Sequence, residues 1–182
     1  MNKKLYLILV LLLPTITLAQ FTEAYSNMTS DKELDFKNYE KIVLDATTFI
    51  FSKPINPKSK EFISATKIVG FWMNNDTGMN IPTFGNFYTS LTNVNQQQFL
   101  YSVAMINYEL DQKINHTRIL KCVKIDGQIY SNQDEVKEVQ LEGAKILLEY
   151  AGNKNNNVPL NSDTKKYLKA FKKNKLEKMF FD

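Results

Sequence analysis

At 182 residues, with 43% hydrophobic and 23% charged residues, the chain is long enough for one globular domain and too apolar to remain disordered. One cysteine, one histidine, six glycines and five prolines exclude a disulfide scaffold and a collagen-like repeat. They also exclude a zinc finger and a cysteine-held haem or iron–sulfur centre supplied by this chain alone. The formal net charge is +4, and where that charge sits decides what it means.

Residues 1–19 read as a cleaved signal peptide. Lys3 and Lys4 precede an apolar run from Leu5 to Leu13, and Thr17-Leu18-Ala19 supplies the short-residue end before Gln20. The run is shorter than the roughly 20 apolar residues a spanning helix needs, and no cysteine stands at the cut to carry a lipid. Cleavage near Ala19-Gln20 predicts a periplasmic or secreted protein with no transmembrane segment in its mature chain. It removes two lysines and no acid, so the net charge falls from +4 to +2. That is too small a surplus to draw the chain to nucleic acid.

Residues 20–38 read as a polar lead-in, frayed or partly helical, and residues 39–182 as a single helical domain. Tyr39, Ile42, Val43, Ala46, Phe49 and Ile50 follow one helical face, which Pro54 and Pro57 end. Ser59 then stands as the N-cap of a second helix whose stripe is Phe62, Ala65, Val69, Trp72 and Met73. Residues 74–94 carry turn residues and aromatic surface together, which predicts an ordered loop with a helical turn near Phe84–Leu91.

The helix predicted from about Asn95 to Lys113 has two apolar stripes, one through Phe99, Val103 and Ile106, the other through Tyr101, Met105 and Tyr108. Two stripes predict contact on both sides. Residues 116–130 fit a short helix or a strand entering a hairpin. An isolated two-stranded ribbon is marginal, which favours helix. Over Gln133–Tyr150, Gly143 stands inside the apolar stripe, where glycine costs about 1 kcal/mol against alanine and predicts the close approach of another helix. Asp163 reads as the cap of a last helix reaching Lys178. The expected fold is all-α, a compact bundle of five or six helices after the signal peptide.

Four runs carry a resemblance: Ala65–Met73 (ATKIVGFWM), Phe99–Leu110 (FLYSVAMINYEL), Glu142–Asn153 (EGAKILLEYAGN) and Lys175–Lys178 (KLEK). Together they resemble a group of small, secreted, all-helical proteins of Bacteroidota. The resemblance implies a fold and an address, and it implies no activity.

Two surfaces stand out as candidates. In the first, Trp72, Asn74, Asn75, Asp76 and Asn80 lie close in sequence to Phe84, Phe87 and Tyr88, and aromatics beside amides suit a small polar ligand. The simpler reading puts the aromatics in the core and leaves turn chemistry to the amides. In the second, seven lysines fall between residues 165 and 178. Lys165, Lys169, Lys172 and Lys173 are the candidate residues for binding an anionic surface, while the simpler reading is a core-docked helix with a solvated lysine face.

His116 and Cys122 do not share a helical face and carry no catalytic-loop signature, so a surface histidine and a buried, inert thiol are expected. The carboxylates, Glu109 among them, are expected mostly on solvated faces. No catalytic residue, metal ligand or cofactor is assigned. The function these features favour is non-enzymatic binding in the bacterial envelope, with an envelope protein or component as partner. A small polar-molecule binder or hydrolase at the Trp72–Tyr88 loop is the alternative, and an inhibitor or immunity protein also fits the size and address.

Overall fold

Val43, Ala46 and Ile50 are buried, as are Ala65, Ile68 and Val69 on the next helix and Leu100, Val103 and Ile106 on a third, so these stripes face a shared core. The computed structural model describes residues 18–31, 33–91 and 96–181. Within them the chain is all-helical: α1 (Leu18–Ser30), α2 (Glu40–Ser52), α3 (Lys60–Met73), α4 (Gly85–Ser90), α5 (Gln97–Asn115), α6 (Asp134–Gly152), α7 (Ser162–Phe171) and α8 (Leu176–Phe181). Six of the eight are seven residues or longer, which is the expected compact bundle. Neighbours run α1–α3–α2–α5–α6–α7, with α4 and α8 against α7. No described helix is long and apolar enough to cross a membrane.

Residues 1–17 of the predicted signal peptide lie outside the described residues. The stretch expected as a polar lead-in, frayed or partly helical, contains an ordered helix, α1. Its Phe21 and Met28 are each 1% exposed, and burying two such side chains contributes roughly 1.5–3 kcal/mol apiece. Phe21 meets Phe49 edge to face, 5.6 Å between ring centres.

The predicted N-cap of α3 is present: Ser59 Oγ accepts from Phe62 N at 3.2 Å. Lys53–Ser59 makes the connection written by Pro54 and Pro57, and Tyr150 Oη on α6 donates to Lys53 O at 2.6 Å to hold it down. In the 74–84 loop, Gln140 Nε2 donates to Pro82 O (3.0 Å) and Phe84 O (2.9 Å), so a buried amide satisfies backbone that has no helix or ladder. The two-sided helix is α5, buried from Leu100 to Ile106 without a break between α2 and α6.

Two expectations are corrected. Residues 116–130 are not helical; they run irregularly, with a 3₁₀ turn only at Tyr130–Asn132. Leu120 and Cys122 point inward, whereas Ile119 and Val123 are 61% and 45% exposed. The burial alternates as on a strand, although Cys122 itself stands at a left-handed φ of 40°. Side chains replace the ladder: Glu135 Oε2 accepts from Lys121 N (2.9 Å), Tyr130 Oη donates to Cys122 O (2.8 Å), and the amide of Asn80 reaches Lys121 O.

The last helix is also not continuous. Asn161, rather than Asp163, caps α7, its Oδ1 accepting from Thr164 N at 2.8 Å. Asn174 adopts a left-handed φ of 54°, its N–H bonds Phe171 O at 3.0 Å, and Lys175 N–H bonds Ala170 O at 2.9 Å. This pair of reversed hydrogen bonds is a Schellman turn, which asparagine tolerates at the left-handed position. The chain then restarts as α8.

Candidate functional site

The loop after α3 uses most of its polar groups on its own backbone. Asn74 Nδ2 donates to Gly70 O at 2.8 Å and Asn75 Nδ2 to Phe71 O at 2.7 Å, so both satisfy carbonyls at the end of α3. Asp76 Oδ1 accepts from Gly78 N at 3.3 Å, and Asn80 is the residue that reaches Lys121 O. Tyr88 sits on α4, its ring 6.4 Å from that of Tyr101. Of the six residues singled out, Trp72 and Asn75 line one cavity of about 280 Å3, together with Thr77, Met79, Thr83 and Ser102. Asn74, Asp76, Asn80 and Tyr88 do not line it.

Trp72 is itself core, 2% exposed and edge-on to Phe36 with ring centres 5.6 Å apart. Its indole N–H has no hydrogen-bond partner among the described residues. A second, smaller cavity of about 60 Å3 lies on Trp72, Thr77 and Met79 as well, and Glu109, Glu40 and Lys113 close it from α5 and α2.

Glu109 is the buried acid that the solvated-face expectation missed. It is 2% exposed, and neither carboxyl oxygen has a hydrogen-bond partner among the described residues. Burial, with Glu135 nearby as the second cause, pushes its carboxyl up to about 8. The signal was positional: Glu109 lies four residues after Met105 and eight after Tyr101, on the very stripe read as apolar. At the rim, Lys113 Nζ donates to Glu40 Oε1. Nearby, Arg118 pairs in a fork with Glu138, which also accepts from Tyr108 Oη at 2.5 Å, and Arg118 holds the Glu138 carboxyl below its ordinary range.

Cys122 is 3% exposed, with Sγ 3.7 Å from Glu135 O, and burial followed by the charge of Glu109 pushes its thiol up to about 12. His116 stands past the end of α5, its side chain 59% exposed and 3.4 Å from Asp111. The two side chains therefore sit in different environments. Among the described residues no three His, Cys, Asp or Glu side chains gather to hold a metal.

The other candidate surface is the α7–α8 corner. Lys165, Lys169, Lys172 and Lys173 are all exposed, and none forms an ion pair with a described acid. Lys166, by contrast, is tied to Asp163 at 2.7 Å. Because the Schellman turn folds the chain back, Lys169 of α7 and Lys173 and Lys175 of the turn come together with Lys178 of α8 around Ala170 and Met179, at a shallow depression of about 460 Å3. Charge is segregated along the chain: residues 162–182 hold seven lysines and three acids (+4), while residues 20–161 hold 14 basic and 16 acidic residues (−2).

Comparison with protein-family models, with curated proteins and with solved structures finds no match for the chain.

Proposed function

We propose that the protein is an exported, non-enzymatic binding protein of the bacterial cell envelope that docks through its α7–α8 lysine face on an anionic membrane surface. The observation carrying this reading is the cluster of exposed lysines around an apolar depression, of which Lys169 and Lys173 form no ion pair with a described acid. A lysine near an anionic leaflet contributes about 1 kcal/mol, so four give weak, reversible, salt-sensitive attachment. The half-exposed Met179 adds apolar contact at the centre of the charge. The export signal supplies the address, and the charge segregation orients the molecule with its acidic body away from the surface.

The test is the double substitution Lys169→Glu with Lys173→Glu, measured by cosedimentation with anionic phospholipid vesicles at low salt. The wild-type protein is expected in the vesicle pellet and the variant in the supernatant. Equal sedimentation of both contradicts the proposal. Capture of one stoichiometric acidic envelope protein through the same lysines, with no vesicle binding, would replace the membrane by a protein partner.

A further inference from the structure

Among the described residues, eight large apolar side chains are exposed, and four of them, Ile119, Val123, Ile125 and Ile129, lie in the one connection that joins α5 to α6. Single exposed aliphatics are ordinary, whereas four along one connection leave a solvated apolar surface of the kind that a partner covers. The connection is also fixed in place. Lys121 is held at both backbone groups, by Glu135 and by Asn80, and Tyr130 holds Cys122 O. In the orientation that satisfies both of its neighbours, the Gln133 amide donates to Val123 O at 2.8 Å and accepts from Ile125 N at 3.0 Å. A surface held in this way loses little freedom on binding. We propose that the 116–130 segment is a docking surface for an extended segment of a partner protein in which acidic and apolar side chains alternate.

Charge selects the partner. Between residues 116 and 130, three basic residues stand against the single acid Asp126. Arg118 is taken by Glu138, but Lys121 and Lys124 are exposed and form no ion pair with a described acid. Positive charge therefore accompanies the apolar side chains, which suits a partner bearing carboxylates. A second copy of the chain fits worse. Antiparallel pairing centred on Cys122 and Val123 would set Lys121 of each copy against Lys124 of the other, and like charges directly opposed are destabilising.

The backbone separates a protein partner from a lipid surface. Ile119 and Lys124 are exposed, and neither N–H nor C=O of either residue bonds a described residue. A hydrocarbon layer has nothing to pair with these groups, whereas an extended peptide offers both a donor and an acceptor. Cys122, at its left-handed φ, interrupts the extended run, so such pairing is confined to short stretches on either side of it. The surface shares no residue with the α7–α8 lysine face, and its failure would leave that reading untouched.

The probe is a fluorescein-labelled synthetic peptide in which glutamate alternates with valine, titrated with the full protein at low salt and followed by fluorescence anisotropy. Saturable binding is expected. A lysine–valine peptide, which lacks the charge complement, and a glutamate–serine peptide, which lacks the apolar contact, should each bind roughly tenfold more weakly or worse. Lys121→Glu with Lys124→Glu should invert the preference, so that the lysine–valine peptide binds the better, a gain that an unfolded variant would not show. No saturable binding of the glutamate–valine peptide, or equal binding of the three peptides, would overturn the proposal. A dimer abolished by Ile119→Ser with Val123→Ser would overturn it in favour of a second copy. Loss of anionic vesicle binding in that same variant, with its helical circular dichroism unchanged, would overturn it in favour of the membrane.

Discussion

Gly143 on α6 lies directly against the backbone of Met105 on α5. A Cβ built on Gly143 would stand 2.5 Å from Met105 Cγ, 3.2 Å from its N and 3.3 Å from its Cα. The two helices that carry the centre of the core therefore meet at a point where only hydrogen fits. In an exposed helix, Gly→Ala would gain about 1 kcal/mol of propensity. Here overpacking should outweigh that gain, and Gly143→Ala is expected to destabilise by about 1–3 kcal/mol. Urea unfolding followed by helical circular dichroism checks it; an unchanged or raised midpoint would show that the helices can separate without loss.

The raised Glu109 gives stability a pH dependence with a definite sign. Its ordinary value is near 4.5 and its folded value about 8. Between these, the native chain holds a proton that the unfolded chain has released. Stability should therefore fall as pH rises through that window, by up to about 1.4 kcal/mol per unit from this group, and be unaffected by it below 4.5. Glu109→Gln should flatten that slope and be more stable than wild type above pH 8, by a few kcal/mol at most. Denaturation curves at pH 5, 7 and 9 separate the cases, and parallel pH profiles for the two proteins would count against the buried acid.

Much of the fold is legible in the sequence where a local signal and the tertiary environment agree. Ser59 before an apolar stripe, Pro54 and Pro57 after another, and Gly143 within a third each have one physical use, and the structure puts each to it. The 116–130 segment is where local pattern is insufficient. Its shape depends on Tyr130 at its far end and on Glu135 and Asn80, two side chains outside it whose effect no window of the segment contains. Asn174 is a different case: a left-handed helix stop was available in the sequence, but among seven lysines the periodic charge reads as one continuous helix. The site divides similarly. The amides of the 74–80 loop are recognisable as turn residues, whereas Glu109 is hidden by the presumption that a lone acid on a helix is solvated.

At the α7–α8 corner, Asn174→Ala forces a Cβ-bearing residue without a side-chain amide into the left-handed region, at a cost of about 1 kcal/mol. Asn174→Gly relieves the same strain. Thermal unfolding should therefore rank Gly at or above Asn and both above Ala. If alanine matched asparagine, the terminal segment would be a continuous helix in solution, and the gathering of lysines around Met179 would be lost.

Cys122 should be nearly inert in the folded protein, because it is buried and its thiol titrates near 12. Reaction with an aromatic disulfide reagent at pH 8 should be slow under native conditions and fast in denaturant. Rapid native labelling would place the 116–130 segment away from α6.

The central claim is electrostatic docking by the lysine face, and vesicle flotation of the wild-type protein tests it most directly. Vesicles with and without anionic phospholipid are compared at about 0.05 M and about 0.5 M salt, where screening shortens from roughly 14 Å to roughly 4 Å. The expected result is flotation with anionic vesicles at low salt, lost at high salt and absent on zwitterionic vesicles. Flotation independent of lipid charge, or no flotation under any of these conditions, would contradict it.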